Sequence, residues 1–557
     1  MNRDVWPRHV RPAGVAAVGM VLSVMVTIAI GVLGPSAVVP GLPGPAWQPP
    51  YSLGLDPGGH LVIAMEAVAI ALGALGLGAG LLALRRGWVP DPRRLLIAGC
   101  VAAALLAFLP PSGSADHLNY AAYGRMAALG HDPYATGAVA LRGDPVADAV
   151  EIPWQEEPSV YGPVATAVQA LAGLAGGDSV RLIVFLLAVV NAAAFVVTGL
   201  LLHRFTRDDR ARQARAALLW AANPLVIYQL VAGMHVDTLA IVFVLAALIV
   251  GGRERWWAAG PLLGLGIAVK INAGLVSLGP AWELRRQPKK LAVVAGTATL
   301  TVVAAYLLAG PHSLDQVLHA SKSISWASPW RLVQRGLQAA FGSGAYRSWI
   351  QIASLLLLML LATSLLRALR DPYSPPVLPP TGVRPSGRDA RPDGHIARPG
   401  VQMDATSEGS TGGRLAGRVG AWTEGLTGGL WPGTGVVGGV GGRSGEGAGV
   451  AVVVVVAWLF ATPYALPWYD GLAFALLAMV PATALDGFVV ARLAVLSLAY
   501  LPARQKDQPP DLGWLVTVWR GQVVPWILLA LTVALVVWAL RVAARGSTRP
   551  GSAAPRP

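Results

Sequence analysis

The sequence predicts an all-α protein threaded many times through a membrane, and three observations carry that prediction. Hydrophobic residues make up 54% of the 557 positions, charged residues only 13%, and the mean hydropathy is +0.56. Ordinary soluble domains carry about 25% charged residues. Apolar runs of roughly 17 to 25 residues recur along the chain, each able to cross about 30 Å of hydrocarbon as a helix. Between them the basic residues gather in alternate short loops, the pattern of cytoplasmic loops.

The runs begin near residues 13, 61, 94, 180, 213, 236, 291, 348, 449, 470, 488 and 523, which gives about twelve crossings. The first is too long for a leader and lacks a small-residue cleavage site, so it reads as a retained helix. Arg3, Arg8 and Arg11 precede it, Arg85, Arg86, Arg93 and Arg94 separate the second and third runs, and Arg204, Arg207, Arg210 and Arg212 follow the fourth. These segments, and both termini, are expected on the cytoplasmic side of the plasma membrane. The Lys/Arg-free segment Gly34 to His60 and the net acidic segment after Asp116 are expected outside.

The resulting organisation has N-terminal spans over 1–110, an external loop with the chemistry over 111–178, and a central membrane region over 179–370 with a second external loop at 311–347. A Gly-, Pro-, Ser- and Arg-rich stretch over 371–447 reads as a disordered cytoplasmic linker. C-terminal spans over 448–545 and a disordered tail over 546–557 complete the chain.

One stretch breaks the alternation. Trp256 to Trp282 is apolar and long enough to span, yet Arg253 and Arg255 precede it and Arg285, Arg286, Lys289 and Lys290 follow it. A broken, re-entrant pair of helices with Lys270 and Asn272 near its tip removes the conflict; an ordinary thirteenth span is the alternative. Irregular backbone at membrane depth is tolerated where it is buried in protein or lines a cavity, so Lys270 becomes a candidate for holding an anion.

The polar residues of the outer segments are where chemistry can occur. Asp116-His117 lies just beyond the apolar run Leu95 to Leu109, at the water boundary, where a carboxylate can ionise and still meet a lipid headgroup. On a helix, Asp116, Tyr120 and Tyr123 share a face, and Arg125 lies about half a turn away, so that it serves another contact or the helix ends near Gly124. Asp132, Tyr134 and Tyr161 follow in the same loop. The second loop offers Lys322, Arg331 and Arg335; the two arginines stand four apart beside Trp326 and Trp330, a combination suited to a lipid phosphate. Thr462 to Asp470, with Trp468, caps a later span.

The net charge of +14 does not indicate a nucleic-acid partner, because the basic residues are dispersed among membrane-flanking loops. Cys100, the single cysteine, excludes an intrachain disulfide and a cysteine metal site. No phosphate-binding glycine loop or zinc spacing is present, and neither a cofactor nor a metal is expected. A lone carboxylate facing cations from other loops suits glycosyl transfer from a lipid phosphate, in which a base takes the acceptor proton and cations stabilise the leaving phosphate. A transporter is the competing reading, since a broken helix with a buried cation also serves transport; the long outer loops with clustered carboxylates stand against it.

The order Asp116…Tyr120…Tyr123-Gly124-Arg125, Gly130-His131-Asp132-Pro133-Tyr134, Pro158-Ser159-Val160-Tyr161-Gly162-Pro163, Asn223-Pro224-Leu225, Gly233-Met234-His235-Val236-Asp237 and Leu466-Pro467-Trp468-Tyr469 resembles the GT-C superfamily of membrane glycosyltransferases. Within it, the order is most similar to the actinobacterial polyprenol-phosphomannose-dependent α-1,6-mannosyltransferases. The resemblance implies a GT-C-like fold with the active site on the outer face. It further implies a polyprenyl-phosphate mannose donor, a lipid-anchored lipomannan-type acceptor and inversion at the transferred sugar. It assigns the base to Asp116. Lys270, Lys322, Arg331 and Arg335 are the phosphate candidates, with Arg125 and Asp132 as further substrate contacts and Tyr120, Tyr134, Tyr161, His235, Asp237 and Trp468 as cavity lining. Where the family carries a Gly-Gly-His-Asn-Asp-like stretch, this chain has Val236 in place of the Asn. Another polyprenyl-phosphate sugar or another acceptor would leave the same pattern.

Overall fold

The computed structural model describes residues 10–320, 322–369, 444–504 and 506–547, and contains no β-strand among them. The linker expected over 371–447 lies outside the described residues except for its last four, which open a helix, and the tail lies outside them from residue 548. The N-terminal arginines Arg3 and Arg8 also lie outside them.

The first three helices are α1 (Val10–Leu33), α2 (Gly59–Arg85) and α3 (Pro92–Ala107). Asp91 caps α3 by accepting from the amides of Arg93 and Arg94, which satisfies two donors that have no intrahelical partner. The polar segment then forms its own helix, α4 (Asp116–Ala128), followed by α5 (Pro163–Gly176) and α6 (Val180–Phe205). Helix α7 (Arg210–Leu219) leads through the single turn α8 (Pro224–Val226) into a π-helical stretch, Ile227–Ala232. Then come α9 (Asp237–Gly251), α10 (Trp256–Val269), a 3₁₀ segment Ile271–Ser277, α11 (Leu278–Glu283) and α12 (Pro288–Ala309). The remaining helices are α13 (Asp315–Ala320), α14 (Trp330–Phe341), α15 (Arg347–Ala368), α16 (Ser444–Ala461), α17 (Asp470–Leu477), α18 (Leu485–Ala499) and α19 (Val524–Ser547).

Among the described residues, seven stretches are long and apolar enough to cross a membrane: 12–33, 59–85, 180–205, 210–232, 288–309, 347–368 and 510–544. The runs at 94, 470 and 488 instead form helices of 16, 8 and 15 residues. Every residue of α17 is buried, so its apolar run reflects protein packing on all sides. Conversely, residues 163–176, read as part of an outer loop, form the apolar helix α5 against α4.

The broken stretch turns back on itself. Helix α10 ends at Lys270, whose backbone is extended, and the 3₁₀ segment and α11 lead away from it. Gly260 lies against Val294 and Thr297, and Gly264 against Ala298 and Thr301, so α10 and α12 run parallel and the chain between them must have come back. At the base, Glu254 pairs with Lys290, and Glu446 accepts from Trp282 (2.9 Å) and Arg285 (3.0 Å). At the tip, Lys270 meets the first residue of α9.

Buried ion pairs clamp the C-terminal helices onto the rest. Arg215 of α7 grips Asp486 of α18 through Nε (2.9 Å) and Nη2 (2.5 Å), a two-point contact that fixes orientation as well as charge. Arg492 and Asp470 form a second such pair between α18 and α17.

Candidate active site

Asp116 opens α4, with its side chain 28% exposed and its backbone amide donating to Ser114 Oγ at 3.3 Å. Its Oδ2 stands 3.6 Å from Nε2 of His235, which is 1% exposed. Burial pushes the Asp116 carboxyl up to about 6; Lys270 opposes the rise, Asp237 adds to it, and a hydrogen bond from Tyr120 opposes it. A carboxylate tuned to this range is ionised at neutral pH yet basic enough to take a proton.

His235 is held on three sides. The π-helical turn gives its C-terminal carbonyls new partners, and Nδ1 of His235 lies 2.5 Å from the Gln229 carbonyl oxygen. The ring stacks on Trp468, 3.9 Å between centroids at 15°. Nε2 faces Ser114 Oγ at 3.3 Å. This seating needs a bare backbone at Gly233, where a Cβ would come within 2.8 Å of the imidazole. It also needs Met234 at φ +52, a left-handed conformation that a non-glycine residue rarely adopts. Burial holds the His235 imidazole down at about 3, against the Gln229 hydrogen bond, with Lys270 adding to the fall. His117 is fully buried with neither ring nitrogen partnered, and burial, with Arg504 and His235 adding, likewise pushes it down to about 3.

Lys270 Nζ lies 2.5 Å from Asp237 Oδ2 and 4.6 Å above the Tyr469 ring, with side chains only 12% and 7% exposed for the pair. Asp237 therefore spends its carboxylate on the hairpin tip and does not cap α9. Tyr120 and Tyr161 pack edge to face at 4.9 Å, and Tyr123 donates to the Glu157 carbonyl at 2.9 Å. Gly162 brings the Pro158–Pro163 segment against the tip: its amide donates to the Val269 carbonyl at 2.9 Å, and a Cβ there would overlap the Ala268 backbone.

Asp116, Tyr120, Tyr161, His235, Asp237, Lys270 and Trp468 thus converge. Other candidates do not join them. Arg125 pairs with Asp144 (2.9 Å) and with Asp178, bracing the outer loop. Asp132 accepts from the Tyr134 amide at 2.8 Å in a local turn, and the Tyr134 hydroxyl bonds Thr166 Oγ1 at 2.7 Å. Lys322 and Arg335 are exposed, and Arg331 donates to Gln334 at 2.6 Å while lying over Trp326. Their segment is docked beside the Trp468 turn: Trp330 Nε1 donates to the Ala461 carbonyl (2.7 Å), and Ser325 Oγ to that of Ala465 (3.0 Å).

Sequence reasoning passed over Ser114, Gln229 and Glu66. Glu66 is fully buried in α2 and accepts from the Tyr228 hydroxyl at 2.6 Å. A carboxyl within an apolar run is itself a signal, since ionisable groups at membrane depth are costly.

Residues 16–286 match the sequence model of the family described as alpha-(1->6)-mannopyranosyltransferase, N-terminal domain. The matched region of the mannopyranosyltransferase family holds Asp116, His235, Asp237 and Lys270, whereas Trp468 and the Arg331 helix lie beyond it. Among curated proteins, the chain is 28% identical over 177 residues to alpha-(1->6)-mannopyranosyltransferase A of Corynebacterium glutamicum, covering 32% of this chain and 36% of that protein. It is 28% identical over 218 residues to alpha-(1->6)-mannopyranosyltransferase B of the same organism, 36% of each chain. A probable alpha-(1->6)-mannopyranosyltransferase of Mycolicibacterium smegmatis is 32% identical over 149 residues, 25% of this chain and 26% of that protein. The matches thus span little more than a third of the length of these relatives.

Proposed function

We propose that this protein is an inverting hexosyltransferase that moves mannose from polyprenyl-phosphate mannose onto a growing lipid-anchored α-1,6-mannan at the outer face of the membrane. The observation that carries the reading is Asp116 at the mouth of a buried polar cluster, its carboxyl raised to about 6 and a lysine close by. The family match over the same residues supports it. Asp116 takes the proton of the acceptor hydroxyl, whose oxygen attacks the anomeric carbon. The bond from that carbon to the phosphate oxygen breaks, and the phosphate leaves with the electron pair. The sugar–phosphate bond supplies the driving force. Lys270 is the cation nearest the base, and Arg331 and Arg335 on α14 are the outer contacts for the carrier phosphate, with Lys322 beside them. Short apolar helices complement the seven long stretches to about twelve crossings around the hairpin, with both termini cytoplasmic.

The deciding experiment incubates membranes containing the protein with radiolabelled polyprenyl-phosphate mannose and a short α-1,6-mannoside. Label should enter the mannoside in α-1,6 linkage. Transfer only from another polyprenyl-phosphate sugar would change the donor, and movement of lipid-linked sugar across the bilayer without transfer would establish a transporter.

A further inference from the structure

Behind Asp116 lies a buried histidine whose proton position its hydrogen-bond partners fix. The Gln229 carbonyl can only accept, so at 2.5 Å the Nδ1 atom of His235 must carry the hydrogen. The neutral imidazole then offers a bare lone pair at Nε2, pointing to Ser114 Oγ (3.3 Å) and Asp116 Oδ2 (3.6 Å). Ser114 accepts from the Asp116 amide and so has its own proton available for Nε2. Two acceptors face each other across 3.6 Å, an arrangement unfavourable for the ionised carboxylate and favourable once it carries a proton. We propose that His235 is a positioning residue for the base: it stabilises the protonated form of Asp116 and thereby raises the basicity with which Asp116 takes the acceptor proton.

The proposal rests on the reading of Asp116 as the base. After the acceptor O–H bond breaks, its proton resides on the Asp116 carboxyl. Rotation about the Cβ–Cγ bond turns the protonated oxygen toward Nε2, displacing the Ser114 hydroxyl, and the contact shortens into an O–H···N hydrogen bond. The proton leaves through the exposed side of the carboxyl before the next turnover, and the imidazole stays neutral throughout. The other groups around Asp116 are Lys270 from the hairpin tip, Asp237 from α9, and Tyr120 and Tyr123 from its own helix. From the remaining elements come Tyr161, Tyr464, Tyr469 and Tyr500, with His117 and Arg504 behind. Lys270 favours the ionised form, Asp237 opposes it, and His235 meets the carboxyl with a lone pair. The strained Met234 and the backbone-only Gly233 hold that lone pair in place.

The test is the pH profile of kcat/KM for transfer in membranes. His235→Phe keeps the stack on Trp468 and removes the lone pair; its acid limb should move down by roughly half to one pH unit, the size of one net hydrogen bond. Its kcat should fall about tenfold, with donor KM unchanged. His235→Gln, which returns an acceptor, should recover most of the limb position. Ser114→Ala, which frees Nε2 of its competitor, should move the limb up. A His235→Phe limb coincident with wild type overturns the proposal, and if that variant does not accumulate, a Ser114→Ala limb that stays or falls does so. Asp116→Asn separates the two readings. An active Asp116→Asn variant removes the base assignment itself, whereas an inactive one alongside an unshifted His235→Phe removes only the role of His235.

Discussion

Lys270 Nζ and Asp237 Oδ2 are 2.5 Å apart, and this ion pair joins the tip of the α10–α11 hairpin to the first residue of α9. The two residues lie 33 positions apart in the chain, and their contact sets the level of the hairpin against Asp116. Lys270 thus sits beside Asp116, the proposed base, with its charge already matched, and a phosphate reaching it must share the ammonium with Asp237. The face of Tyr469 below the ammonium adds a second restraint.

Breaking that pair should therefore cost stability as well as activity. Lys270→Ala and Asp237→Ala each leave an unmatched charge in a mostly buried site, which costs about 3 to 5 kcal/mol. Thermal unfolding in detergent should show a large downward shift for each, and the double variant should be less destabilised than the sum. Additive losses would mean that the pair is not coupled.

Asp116→Asn should abolish transfer while leaving the protein inserted and its unfolding temperature near wild type. The amide keeps the shape and removes the basic form, and loss of a general base costs about 10² to 10⁴ in rate. Single-turnover transfer measures it directly. A wild-type rate in this variant would remove the base assignment.

The wild-type enzyme should lose kcat/KM as pH falls through about 6, because burial has raised the Asp116 carboxyl to that value and only its ionised form accepts a proton. An exposed aspartate would hold its activity to about 4. His117 and His235, both pushed down to about 3 by burial, stay neutral across this window and contribute no limb of their own. A limb near 4 would show that the carboxyl is solvated when it works.

How much of this was legible depends on which physical signal each feature leaves in the sequence. The spans at 59–85, 180–205 and 288–309 are long apolar runs, and length alone identifies them. Helix α17, buried along its whole length, leaves the same signal, because burial in protein and burial in lipid select the same residues. The hairpin was legible through a charge conflict: basic residues flank both ends of Trp256–Trp282. The order of motifs singled out Asp116, His235, Asp237 and Trp468, but not what joins them. Neither the Lys270–Asp237 pair nor the Gln229 carbonyl that orients His235 has any periodicity to betray it. The left-handed backbone at Met234 is invisible in a residue type that normally avoids it. Arg125, read from the motif order as a substrate contact, instead pairs with Asp144 and Asp178, partners that appear only once the loops close.

Gly162→Ala should lower activity and move the acid limb together. A methyl group there meets the Ala268 backbone, which cannot yield without shifting the hairpin tip, and overpacking of this kind costs about 1 to 3 kcal/mol. Lys270 moves with the tip and favours the ionised form of Asp116, so its displacement should shift the limb as kcat falls. A reduced kcat with an unshifted limb would mean that the tip positions Lys270 without tuning the carboxyl.

Arg331→Ala and Arg335→Ala should each weaken the lipid-linked donor far more than the acceptor. The two side chains lie one turn apart on α14, which Trp330 anchors to the Ala461 carbonyl, and Trp326 flanks Arg331 at 5.7 Å. Aromatic and guanidinium groups so arranged suit the headgroup level of a bilayer, where a carrier phosphate resides. Among the described residues, Arg331 has only Gln334 as its side-chain acceptor, a neutral amide that an incoming phosphate can displace at small cost. Loss of one charge-assisted contact should raise the donor KM about tenfold, with the acceptor KM little changed. Arg331→Lys, which keeps charge but loses the planar fork, should fall between. If both alanine variants keep the wild-type donor KM, the leaving phosphate is bound deeper, at Lys270, and Lys270→Gln should then raise the donor KM instead.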